Sequence, residues 1–340
     1  MNAFLLLCSA FTALLILSNN AAACCAVARP GQHVVNADQS VIILWDEASQ
    51  TQHFIRKASF TSNSQDVGFI VPLPSQPSLA ESGTSAFPRL ATITAPPRPR
   101  APSIPFACAA TPTSYSVASG VHVLESKRVA GFDATVLTAD SGSALTNWLS
   151  SHGFALNPDV AAWAAPYIRD HWCFAAMKIA KPLPSESQLD AASLRLSFKT
   201  SSPLFPYREP ASSAAAASLG KSSRLLRIYF IASRAHQGSL GDHLPWSGVP
   251  VWSGDISPHR SSLLTDLNLP DSTLPGRWWL TEFEDRWPYA SAPGDLWFSP
   301  APHNRRINRP TPPPSFDLAL PAAALATGAI RLRRSARRRR

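Results

Sequence analysis

Val41-Ile42-Ile43-Leu44-Trp45 is a short apolar run rich in β-branched residues, followed by the polar, turn-like stretch Asp46 to Gln50. A second strand-like run, Thr51 to Phe60, comes next, and after the polar residues Thr61 to Asp66 a third follows, Val67-Gly68-Phe69-Ile70-Val71. Short apolar runs bounded by turn residues read as β-strands. Pro72 and Pro74 are expected to close the third run, because proline cannot donate to a ladder. The simplest arrangement of residues 34–74 is an antiparallel meander.

Downstream the pattern is mixed. Val121 to Leu124 and Phe132 to Leu137 read as strands. Asp140 or Ser141 then caps a helix with Leu145, Trp148 and Leu149 on one face, and Gly153 supplies the left-handed stop. Asn157-Pro158 opens a second helix with Val160, Trp163 and Tyr167 on its apolar face, and Pro166 limits its length. Cys173 to Ile179, Leu194 to Phe198 and Arg224 to Ala232 return to strand patterning, while residues 237–276 are turn-rich. The expected fold class is α+β: β-rich, with mainly antiparallel sheet and two short amphipathic helices in the middle third. Thirty-two prolines against fifteen glycines argue against an all-helical bundle and, without a Gly-X-Y period, against collagen.

The ends of the chain carry a different signal. Phe4 to Leu17 is almost wholly apolar and is followed by Ser18-Asn19-Asn20-Ala21-Ala22-Ala23, the pattern of a cleaved signal peptide. As a helix the apolar part spans about 21 Å, short of a ~30 Å hydrocarbon core. Cleavage after Ala23 leaves Cys24 at the new N-terminus; a lipidated cysteine usually has Leu three residues before it, and Ala21 stands there. Residues 24–300 then form the exported domain, 301–317 a proline-rich spacer, and 318–340 an apolar segment, Leu318 to Ile330, ending in an arginine cluster. That layout points to membrane association through Leu318 to Arg340. The net charge of +9 belongs to this tail: Arg331 to Arg340 hold seven arginines, and without them 24 Lys and Arg face 22 Asp and Glu. A near-neutral body argues against a nucleic-acid partner.

Four cysteines remain after the leader: Cys24, Cys25, Cys108 and Cys173. An even number in an exported chain suggests disulfides. Adjacent Cys24 and Cys25 are poorly placed to bond each other, so each is expected to pair with one of Cys108 and Cys173. No CxxC or CxxH spacing supports a metal site instead, and neither metal nor cofactor is expected.

Cys24-Cys25-Ala26-Val27, then Asn36-Ala37-Asp38-Gln39-Ser40-Val41-Ile42-Ile43, then Gly68-Phe69-Ile70-Val71-Pro72-Leu73-Pro74 resemble the opening of the bacterial family called domain of unknown function 2330. Ala144-Leu145-Thr146-Asn147-Trp148-Leu149, His152-Gly153-Phe154, Tyr167, Phe174-Ala175-Ala176-Met177-Lys178 and Leu194-Arg195-Leu196-Ser197-Phe198, with Pro203 and Pro206, continue the series. The resemblance implies an exported envelope protein, often with a C-terminal anchor. It implies no agreed activity, and no catalytic residue is carried over from it.

A search for chemistry gives little. Gly-x-Ser-x-Gly, His-Glu-x-x-His and Gly-x-Gly-x-x-Gly are absent. Gly220-Lys221-Ser222 ends like a phosphate loop, but Ala215 stands where glycine is needed. Asp38 reads as a turn cap. The neighbours Asp170-His171 and Asp242-His243 do not form dyads by adjacency alone, since successive strand residues face opposite sides. Trp278, Trp279, Trp287 and Trp297 crowd one segment, with Trp252 upstream and Glu282, Glu284 and Asp285 among them. They are either a packed core corner or an aromatic binding surface. The expected function is a non-catalytic binding or structural module that meets an unidentified envelope protein or surface. The alternative is an extracytoplasmic hydrolase or carbohydrate-active enzyme with acids such as Glu282 and Asp285 in an aromatic cleft.

Overall fold

The computed structural model describes residues 25–27, 34–36, 39–57, 60–62, 68–96, 121–154, 159–179, 193–208, 210, 224–241, 244–270, 274, 276–287 and 294–310. The leader, Cys24, Asp38, Cys108, Pro158, Gly220 to Ser222, Asp242-His243 and the tail Leu318 to Arg340 lie outside the described residues. The chain divides into two units, one of Met1–Ala95 with Arg100–Arg309, the other of Pro96–Pro99 with Pro310–Arg340. All elements below belong to the first.

A seven-stranded sheet runs in the order β16 (Val249–Asp255), β17 (Trp279–Trp287), β13 (Arg224–Ala232), β3 (Gln39–Asp46), β4 (Thr51–Lys57), β11 (Ser193–Lys199), β7 (Ser78–Ser82). A five-stranded sheet runs β1 (Cys25–Val27), β6 (Gly68–Leu73), β10 (Cys173–Ile179), β9 (Phe132–Ala139), β8 (Val121–Val129). A four-stranded sheet holds β12 (Leu204–Phe205), β18 (Leu296–Pro300), β14 (His236–Leu240) and β15 (Leu244–Pro245), and β2 (Val34–Asn36) pairs with β5 (Phe60–Ser62). Four short α-helices complete the described body: α1 (Ala86–Ile93), α2 (Gly142–Ser151), α3 (Val160–Arg169) and α4 (Arg260–Leu267).

The opening run explains itself in this frame. Val41, Ile43 and Trp45 face the five- and four-stranded sheets, packing in one core with Phe69, Phe132, Phe205 and Phe298. Ile42 and Leu44 face the other way, into a second core closed by Phe87 and Leu90 of α1 and Leu263, Leu264 and Leu267 of α4. A strand buried on both faces carries a continuous apolar run instead of alternation. The outer face of the five-stranded sheet packs Ile70, Leu137 and Phe174 under Leu145, Trp148 and Leu149 of α2 and Val160, Trp163 and Tyr167 of α3. The result is four layers: helices, sheet, sheets, helices.

Two strand expectations need correction. Residues 34–74 do not form a meander. β3 and β4 make an antiparallel hairpin, but β6 crosses to the five-stranded sheet, and the other neighbour of β3 is β13, in parallel. A parallel neighbour requires a long crossover, which local patterning does not reveal. Pro72 does not close β6, which continues to Leu73. β1 covers β6 only from Gly68 to Ile70, so at Pro72 the strand has a described neighbour on one side only, β10, an edge-like position where proline is tolerated.

Both middle-third helices are present, although the expected Asn157-Pro158 opening of the second lies outside the described residues. Ser141 caps α2, its Oγ accepting from the Ala144 N–H at 3.1 Å, and Gly153 sits at φ 73°. Pro166 does not stop α3, which runs on to Arg169; a proline removes one backbone bond but leaves its own carbonyl to accept from the Asp170 N–H at 3.0 Å.

Candidate functional site: the acids of the tryptophan-rich strand

β17 gathers most of the side chains singled out by sequence, and its alternation separates them. Leu280, Glu282 and Glu284 face the α1–α4 layer, while Thr281, Phe283 and Asp285 face the other sheets, as the core membership of Leu280 and Phe283 requires. Glu282 and Asp285 therefore project to opposite sides of the sheet. Both are buried, at 0% and 1% exposure. They do not converge on one cleft, as an acid–base pair for sugar hydrolysis must.

On one side, Asp285 accepts from the Tyr207 hydroxyl at 2.7 Å, the Trp246 Nε1–H at 2.9 Å and the Ser247 hydroxyl at 3.0 Å. Burial, reinforced by the negative charge of Asp285, pushes the Tyr207 phenol far up. Nearby Asp295 uses a single oxygen to accept from the Tyr167 hydroxyl and the backbone N–H groups of Tyr207 and Arg208, at 3.0, 3.0 and 3.1 Å. Burial raises its carboxyl above the usual range against the pull of those donors. The Gln52 amide both donates to and accepts from the Leu204 backbone, each at 2.8 Å. Three buried polar side chains thus fasten β12 and the irregular residues that follow it to 208, whose backbone groups must find partners once covered.

On the other side, Glu282 Oε1 receives Arg227 Nε at 2.9 Å and Arg309 Nη2 at 2.6 Å. Glu284 Oε1 receives the Nη2 groups of the same two arginines, Arg227 at 2.8 Å and Arg309 at 2.7 Å. Burial pulls the Glu284 carboxyl up, but the hydrogen bonds and charge of the arginines outweigh it and hold it below its ordinary value. Tyr229, in register with Glu282 on β13, is pushed up to about 12 by burial and by that neighbouring charge. Glu282 Oε2 is buried without a hydrogen-bond partner among the described residues.

Arg309 arrives on a segment that sequence reading assigned to the spacer. After β18, residues 301–309 stay on the body. The Ala301 N–H donates to Ala235 O, and Asn304 Oδ1 accepts from the Ala235 N–H, both at 2.9 Å. Ile307 and Ser253 of β16 exchange two backbone bonds of 2.9 Å.

Among the described side chains, the tryptophans do not make an exposed platform. Trp278 and Trp279 are buried; Trp278 lies beneath the Arg260 guanidinium, 5.6 Å from its ring centre, and Trp279 donates its indole N–H to Ser253 at 2.8 Å. Trp252 is buried as well, and Trp297 is half-buried edge-on to Trp172. The side chain of Trp287 lies outside the described residues. Large aromatic faces cover the layers here because they bury the most apolar area per residue.

The disulfide expectation needs revision at Cys173, which is a free, buried thiol. Cys25 is in register with Ile70, and Ile70 with Ala176. Two strand spacings sideways and three residues along put the Cα atoms of Cys25 and Cys173 ~14 Å apart, while Cys24 lies outside the described residues. A disulfide needs Cα atoms within ~7 Å, so Cys25 does not bond Cys173. Burial raises the Cys173 thiol above its ordinary value, which makes it a poor nucleophile.

One pair had no signature in the sequence. His53 and Ser197 face each other across β4 and β11, Nδ1 to Oγ at 2.7 Å. Burial, then the charge of Arg195, lowers His53 to about 4. So weak a base does little to activate a hydroxyl. Asp46, whose charge pulls His53 the other way, accepts from the Ala48 N–H and from the Ser49 N–H and hydroxyl. Asp170 and His171 lie exposed after α3. Among the described residues no group of three or more His, Cys, Asp or Glu is arranged to hold a metal ion.

The family model described as an uncharacterized protein conserved in bacteria (DUF2330) matches residues 18–296. No curated protein matches the chain. The crystal structure of baculovirus P35 aligns at a TM-score of 0.35 and 7% identity, covering 79% of this chain and 97% of that one; a likeness this distant carries no argument.

Proposed function

The chain belongs to the DUF2330 family of uncharacterized bacterial proteins, and on that premise we propose that it is an exported cell-envelope protein whose body is a non-catalytic binding or structural module. The observation that carries this reading is the use of the buried and half-buried acids. Buried Asp285 and Asp295 and half-buried Glu284 each accept several internal hydrogen bonds, the role of groups that fix an architecture. The apolar leader with small residues before Cys24 supports export, and the apolar and arginine-rich stretch Leu318 to Arg340 supports contact with an anionic membrane surface. The partner is an envelope protein or surface. In the oxidising compartment a bridge joins Cys108 to Cys24 or Cys25, and Cys173 stays a thiol.

The test is to express the full chain in a bacterial host, fractionate the cells and weigh the protein with and without reductant and alkylating agent. The expected species begins at or near Cys24, sits in the envelope fraction, and alkylates at Cys173 only after unfolding. An intact leader on a soluble intracellular protein with every thiol free overturns the proposal.

A further inference from the structure

We propose that Glu282 and Glu284, together with the open edge of β16, form a recognition site for an arginine on an extended segment, and that the chain's own residues 301–309 occupy it in the structure. The inference rests on the geometry of β17 and the segment lying over it, not on export.

Three observations carry it. First, the segment uses both elements of strand-addition recognition: a main-chain pairing on a sheet edge, Ile307 with Ser253, and a side chain seated in a pocket two residues on, Arg309 between the carboxylates. Second, the charges are complementary only with that guanidinium present. Without Arg309, Arg227 is the one cation among the described residues paired to the two carboxylates, and Arg309 brings the cluster to neutrality. Third, the fit in cis is incomplete. Arg309 approaches with one nitrogen shared between two carboxylates, although a guanidinium can offer a two-pronged fork to one of them. Glu282 Oε2, on a fully buried side chain, has no hydrogen-bond partner among the described residues. An unfilled acceptor of this kind is the place where a better-seated guanidinium gains over the resident one.

The occupant is therefore an extended segment of another protein with an apolar residue two positions before an arginine, the spacing of Ile307 and Arg309. It enters by displacing residues 301–309 from the β16 edge.

The experiment uses the full chain, its Arg309→Ala variant, and Arg309→Ala combined with Glu282→Gln and Glu284→Gln. The probes are methylguanidinium, too dilute to denature, and a synthetic peptide with the sequence of residues 303–310. Arg309→Ala is expected to melt roughly 5–10 °C below the parent. Methylguanidinium is expected to restore several degrees of that loss saturably, and the peptide to bind the variant at least tenfold more tightly than the parent. The triple variant is expected to respond to neither probe. Should Arg309→Ala fail to fold, Arg309→Lys keeps the charge without the fork, and the same peptide titration applies. Absence of saturable rescue and of peptide binding in the folded variant, or equal rescue in the triple variant, overturns the proposal.

Discussion

His53 couples a half-buried imidazole to the pH dependence of the whole body. Its folded-state value is held near 4 by burial and by Arg195, against about 6.5 in an unfolded chain. The folded protein therefore binds the proton more weakly than the unfolded one. The stability His53 permits is complete above about pH 6.5 and is lost as pH falls toward 4. By about pH 5 that loss is on the order of 2 kcal/mol. His53→Gln removes the titration. Urea unfolding at about pH 7.5 and about pH 5 should show the parent losing that much more than the variant; parallel losses in both would refute the assignment. Asp285 makes a prediction of another kind. It holds three donors inside the protein, and truncation leaves all three without an acceptor. Asp285→Ala should cost about 3 kcal/mol, and a change below about 1 kcal/mol would mean that water or another group takes its place. Neither role could be read from sequence. The partners of Asp285 stand 38, 39 and 78 positions away, and Ser197 is 144 positions from His53.

Elements were legible where local chemistry decides them. The 3.6-residue spacing of Leu145, Trp148 and Leu149, the Ser141 cap and Gly153 marked α2 without any knowledge of what it packs on. Arg224 to Ala232 was marked by its apolar, β-branched run and is β13. The helices α1 and α4 carried weaker signals. Neither has a side-chain cap bond, α1 contains Pro88 in its first turn, and only three residues of α4 are buried; each is held chiefly by the sheet face it covers. The acids of β17 were legible as a cluster but not as two separate networks, because that division depends on which face the register assigns to each. Helix packing yields a test at this scale. Gly142 opens α2, where alanine would ordinarily help by up to about 1 kcal/mol. A Cβ there meets the Ala161 carbonyl oxygen of α3 at 2.7 Å, and a backbone atom yields only if the helix moves. Gly142→Ala is therefore expected to destabilise by about 1–3 kcal/mol, read as a lower urea midpoint. A stabilised variant would show that α2 and α3 do not approach each other this closely.

For the molecule as a whole, the decisive feature is that the body does not end with its last long strand. Residues 301–309 cluster with the main unit. They bond to Ala235 at the start of β14, close the edge of β16 through Ile307, and bring Arg309 to the glutamate pair. A chain shortened after Pro300 loses all of these at once. Glu282, fully buried, is then left with Arg227 as its one remaining ionic partner among the described residues, and removing half of the compensation from a buried charge typically costs about 3–5 kcal/mol. The sheet edge exposed at β16 also becomes a template for pairing with other chains. A chain shortened after Pro310 keeps every one of these contacts. The two truncations, measured side by side by urea unfolding and by size-exclusion chromatography, should therefore separate sharply. The longer should match the full body in midpoint and elute as it does. The shorter should unfold at clearly lower urea and tend to associate. Equal midpoints would mean that the segment rests on the surface without stabilising it, and that the charge of Glu282 is compensated by groups other than Arg309.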